Sequence, residues 1–91
     1  MMVNLYGAQA REHWTRAFPD RLRDLPDPEA FFSTLGQDIA DAIEATTRTL
    51  AGEAPSGETY LNRLQRLNTA RHTAESHVMR QMVYLESAEK S

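Results

Sequence analysis

The chain has no cysteine in its 91 residues, so it has no disulfide framework and no thiolate metal site. It has one lysine against nine arginines and a single tryptophan. With twelve alanines, the arginine excess fits the codon usage of a GC-rich genome and is not by itself a phosphate-binding signal. No apolar run approaches the roughly 18 residues that would span a bilayer. Residues Met1 to Ala10 match neither a secretory signal nor an Arg-rich transit sequence. A cytoplasmic protein with no membrane segment is expected. The net charge of −3 argues against general affinity for nucleic-acid backbone.

Catalytic signatures are missing as well. There is no Gly-x-Ser-x-Gly elbow and no glycine-rich phosphate loop, and without cysteine there is no thiol nucleophile. A non-enzymatic chain with no cofactor is the reading. His72 and Glu75 lie three apart and could approach one metal ion. Di-iron bundles, however, repeat Glu-x-x-His on paired helices, and here the order is reversed and occurs once. No metal site is expected.

What remains is helical patterning in a single domain. Tyr6, Ala10, Trp14 and Phe18 recur every four residues, which predicts a helix over about 4–18 with Asn4 as N-cap. Pro19 ends it, and one further turn of helix fits 19–25. Asp27-Pro28-Glu29 is a helix start: a capping carboxylate, a proline at the first position and an acid near the positive end of the dipole. Phe31, Phe32, Leu35, Ile39, Ile43 and Leu50 then hold a 3.6-residue period to about Ala51, with Gly52 as terminator. Gly36 beside this face would allow close approach of another helix. Glu44 and Arg48 are ordered for an i,i+4 pair.

The segment Gly52 to Gly57 reads as a turn between antiparallel helices. The last helix is expected over about 58–86. Its main apolar face is Tyr60, Leu64, Leu67, Ala74, Val78, Met82 and Leu85, and a second stripe holds Leu61, Asn68, His72, Met79 and Val83. Glu89 to Ser91 is expected to fray. The fold class is all-α: a short N-terminal helix packed on an antiparallel hairpin of two long helices, a three-helix bundle that dimerisation could complete. The hairpin arms carry opposite charge. Six acids and one Arg lie between Asp27 and Glu53; four Arg, two His and one Glu lie between Thr59 and Leu85. This contrast would favour antiparallel pairing.

Arg71 stands out because helical spacing puts it among the apolar residues of the main face, with Glu75 one turn on. The pair is read as a register-setting element, with a partner-facing anchor as the alternative. Arg71, Glu75, Asn68, His72, Leu61, Met79, Val83 and Trp14 are the candidate interaction residues. Tyr6, Trp14 and Phe18, with Phe31 and Phe32, are read as core aromatics before they are read as a partner hot spot.

In length and shape the hairpin resembles the small secreted WXG proteins of type VII systems. Their Trp-x-Gly turn is absent from Gly52 to Gly57, so the chain is not placed among them. The expected function is that of a non-enzymatic helical interaction protein, an adaptor, inhibitor or accessory subunit from a phage or mobile element. It would bind a protein partner or a copy of itself through an apolar helix face. The alternative is a small nucleic-acid-binding regulator using the Arg-rich last helix, although those arginines are scattered around its circumference.

Overall fold

A computed structural model describes residues 3–84. Among them there are helices and connections but no strand. Helix α1 spans Leu5–Ala17, α2 Pro19–Arg23, α3 Pro28–Ala51 and α4 Tyr60–Met79, and a π-helical turn, Arg80–Tyr84, follows α4 directly. The helix expected to reach Glu86, the place of Leu85 on its apolar face and the fraying of Glu89 to Ser91 fall outside the described residues.

Local chemistry sets the helix ends. Asn4 accepts a hydrogen bond from the Gly7 N–H at 2.8 Å and caps α1. Pro19 removes a backbone donor, so α1 closes at Ala17 and the chain restarts as α2. Asp27 accepts from the Ala30 N–H at 3.1 Å, and Pro28 occupies the first turn of α3. At the other end Gly52, with φ of 63°, takes a backbone conformation that side chains resist. The turn then runs to Thr59, two residues beyond the expected Gly57. Thr59 caps α4 by accepting from the Asn62 N–H at 3.2 Å. Glu58, expected to open the helix, is drawn out of it by Arg66.

α3 and α4 form the antiparallel hairpin, and α1 lies along α3. The core is built from Ala10 and Trp14 of α1, Phe32, Ile39 and Ile43 of α3, and Ala74, Val78, Met79 and Val83. Trp14 packs at 5.6 Å from Phe32, 5.1 Å from Phe31 and 5.7 Å from Phe18, ring centre to ring centre, which closes the end of the bundle. The molecule is long and thin, 54 × 32 × 16 Å.

Two features depart from simple helical periodicity. Advancing at 100° per residue, Val83 would lie about 140° around the helix from Val78. The wider π turn reduces the advance per residue and brings Val83 into the core, where it is 1% exposed. The second departure lies along α4. The residues it buries are Ala70, Ala74, Val78 and Met79, whereas Tyr60, Leu61 and Leu64 stay exposed. Tyr60 and Val78 are eighteen residues apart and project from the same side of the helix. The side is covered at Val78 and open at Tyr60 because α1, which begins at Leu5, lies only along the Trp14 end of the hairpin.

Candidate interaction surface

The reach of α1 divides the molecule into two parts. At the end holding Trp14, three helices and the π turn enclose the core. Towards the turn, α3 and α4 continue as a two-helix arm. Its apolar side chains are open: Tyr60 is 74% exposed, Leu61 75%, Leu50 50% and Leu64 39%. Tyr60, Leu61 and Leu64 are i,i+3 and i,i+4 neighbours on α4 and form one exposed apolar patch, whereas Leu50 lies apart, beside Asn62, Gln65 and Thr69.

Two shallow grooves follow the arm. One of about 620 Å³ runs past Leu50, Asn62, Gln65, Thr69 and Thr73. The other, about 340 Å³, lies between Thr47 and Ala51 of α3 and Arg63 and Leu67 of α4. Both are open troughs, and their walls carry amides, hydroxyls, methyl groups and the guanidinium groups of Arg48, Arg63 and Arg66. Among the described residues no group of three or more His, Asp or Glu side chains gathers where a metal ion could sit.

Arg66 organises the arm. It donates from Nε and an NH2 group to the two carboxylate oxygens of Glu58, at 2.7 and 3.1 Å. Its remaining NH2 group donates to the Ala51 carbonyl oxygen at 2.6 Å. One guanidinium thus ties the C-terminal end of α3 to the residue before the α4 cap and uses its planar fork for both. The Arg66 hydrogen bond holds the Glu58 carboxyl below the usual carboxylate range. Glu58 in turn raises the Arg66 guanidinium above its ordinary value. The sequence reading treated Arg66 only as part of a basic helix. The available signal was a terminal carbonyl left over at Ala51 and a cation two turns along the returning helix.

The candidate residues separate into two groups. Met79 and Val83 are buried, so the lower half of the second stripe belongs to the core. Trp14 is core as well, with the Arg21 guanidinium lying 4.9 Å over its ring. Leu61, Asn68 and His72 are exposed. Arg71 and Glu75 form the expected pair, Nε to Oε1 at 3.1 Å. The pair is not buried in the main face, however: the two side chains are 56% and 38% exposed. Ala70 and Ala74 on either side of Arg71 are buried, and Arg71 itself lies at the rim, where an NH2 group donates to the Tyr6 hydroxyl of α1 at 3.4 Å.

Charge is distributed over the outside of the hairpin. Asp38, Asp41 and Glu44 are exposed on α3, with Asp41 accepting from Gln37 and Glu44 lying 3.9 Å from Arg48. His13 of α1 packs edge-on to Phe18 and to Tyr84 of the π turn, at 6.2 and 4.9 Å, and its buried Nε2 has no hydrogen-bond partner among the described residues. No helix among the described residues is long and apolar enough to cross a membrane. The chain matches no protein-family model, no curated protein and no solved structure.

Proposed function

We propose that the chain is a non-enzymatic helical interaction protein, an adaptor, inhibitor or accessory subunit, that works by burying the open arm of its hairpin against a protein. The observation that carries this reading is the exposure of Tyr60, Leu61 and Leu64, which are i,i+3 and i,i+4 neighbours on α4, in a two-helix arm. Apolar area removed from water there would supply the driving force. Gln65 and Asn68, exposed one turn on from Leu61 and Leu64, would supply a polar rim. The cysteine-free composition agrees with a cytoplasmic setting.

The nucleic-acid reading gains less support. Two of the arginines on α4 are already engaged, Arg66 with Glu58 and Arg71 with Glu75. The outer face of α3 is acidic and would repel a phosphate backbone.

The reading is tested by placing a photo-activated cross-linking residue at Leu61, in the arm, and separately at Asp41, on the outer face of α3. Cross-linking in the cells that make the protein should give a discrete adduct from Leu61 and none from Asp41. Failure to form any adduct from Leu61, or equal yields from both sites, would remove the proposal.

A further inference from the structure

Tyr60, Leu64, Leu67 and Arg71 are spaced by four, three and four residues, which keeps them on one stripe of α4. Arg71, at the end of the stripe, touches Tyr6, so the stripe lies on the side of the hairpin that carries α1. α1 begins at Leu5 and covers the hairpin only from that level towards the Trp14 end. From Arg71 back to the turn the stripe is uncovered: Tyr60 and Leu64 are exposed and Leu67 is half-buried.

The spacing reads the same in both directions. Laid antiparallel on a second copy of itself, the stripe sets Leu64 against Leu67 of the second copy and Leu67 against its Leu64. It also sets Tyr60 against Arg71 at both ends. This reciprocity is what a twofold interface requires. The apolar pairs fall at the centre and the aromatic–guanidinium pairs at the rim, where a cation over a ring is favourable and remains hydrated. The chain already uses that contact, since Arg21 lies 4.9 Å over both Trp14 and Phe18.

We infer that the partner of the open arm is a second copy of this chain, docked antiparallel through the Tyr60–Leu64–Leu67–Arg71 stripe. The inference rests on the interaction-protein reading and gives it an occupant. The position of α1 selects the orientation. Parallel pairing would stack Arg71 on Arg71 and crowd the two α1 helices at one end. Antiparallel pairing places the α1 helices at opposite ends and joins the two arms into a four-helix segment.

Sedimentation equilibrium across the micromolar range should give the mass of two chains at the upper end. Leu64→Glu should return the mass to one chain with unchanged helical circular dichroism. Should that variant lose helicity, Tyr60→Ser, at a more exposed position, provides the same readout. Register is tested with thiols, for which the cysteine-free background is well suited. An equimolar mixture of Leu64→Cys and Leu67→Cys chains should oxidise to the mixed disulfide faster than either chain oxidises with itself. A one-chain mass at every concentration would overturn the inference, as would a two-chain mass unaffected by Leu64→Glu and Tyr60→Ser. Faster pairing of Leu64→Cys with itself would do the same. A one-chain mass together with a Leu61 photo-adduct to a different protein would remove the second copy and leave the interaction-protein reading standing.

Discussion

Gly7 and Gly36 face each other where α1 crosses α3, and neither site has room for a methyl group. A Cβ at Gly7 would run into the Phe32 carbonyl oxygen and come within 2.6 Å of a Val3 methyl. A Cβ at Gly36 would come within 2.9 Å of the Gly7 nitrogen and collide with the Asn4 side chain that caps α1. Two backbones are in contact there, and the crossing fixes where α1 lies and therefore how much of the arm it leaves open.

Gly7→Ala and Gly36→Ala should each destabilise the fold, although alanine is the better helix former. The propensity gain is about 1 kcal/mol. Overpacking a tight contact costs about 1 to 3 kcal/mol, and disturbing the Asn4 cap adds about 1 kcal/mol at Gly36. A net loss of up to about 2 kcal/mol is expected for Gly7→Ala and of about 1 to 3 kcal/mol for Gly36→Ala, read as a lower urea midpoint with unchanged slope. A stability gain from either variant would mean that the helices are farther apart than described.

The open arm makes the opposite prediction. Leu61→Ser should change the stability of the single chain by no more than about 0.5 kcal/mol, as expected for a surface position. Ile39→Ala, at a fully buried site on α3, should cost about 2 to 5 kcal/mol. Urea unfolding of the two variants at low protein concentration checks the contrast. A cost at Leu61 approaching that at Ile39 would place Leu61 in the core.

Much of this architecture was legible from the sequence, for reasons that can be stated locally. α3 could be bounded because Asp27-Pro28 and Gly52 are backbone signals that do not depend on packing. The role of Gly36 could be inferred because a glycine on an apolar helix face has few other uses. The face of α4 was half legible. Ala74 and Val78 of the expected apolar face are buried, but Tyr60 and Leu64 of the same face are open, because the pattern does not say how far along the hairpin α1 reaches. Ala70 is packed without having been expected, since alanine carries little hydrophobic signal. Expecting one covered face along the whole helix put Arg71 in the interior, and the second stripe left Met79 and Val83 available for a partner. The π turn was invisible for a similar reason: one extra residue in one turn shifts Val83 into the core without altering composition.

The Arg71–Glu75 pair should contribute little to stability now that it is placed at the rim. Exposed pairs at this spacing are worth about 0.3 to 0.5 kcal/mol, and an arginine preceding its acid is the weaker order. A double-mutant cycle with Arg71→Ala and Glu75→Ala should give a coupling in that range, falling as salt is added. A salt-insensitive coupling above about 2 kcal/mol would indicate a buried, register-setting pair.

The Arg66–Glu58 link gives the fold a pH dependence with a definite sign. The Glu58 carboxyl is held below its ordinary value of about 4.3, foremost by the Arg66 hydrogen bond. The folded state therefore releases this proton more readily than the unfolded chain. The resulting stabilisation is fully present above the unfolded value and is lost as pH falls through the folded one. Glu58→Gln removes the titration and the charge but keeps an acceptor for Arg66. The stability difference between the native protein and Glu58→Gln should be constant from pH 7 to about pH 5 and shrink below about pH 4. Arg66→Lys should reduce it at neutral pH, because an ammonium group cannot span both Glu58 oxygens and the Ala51 carbonyl. A difference that grows on acidification would reverse the sign and show that the link does not hold the turn closed.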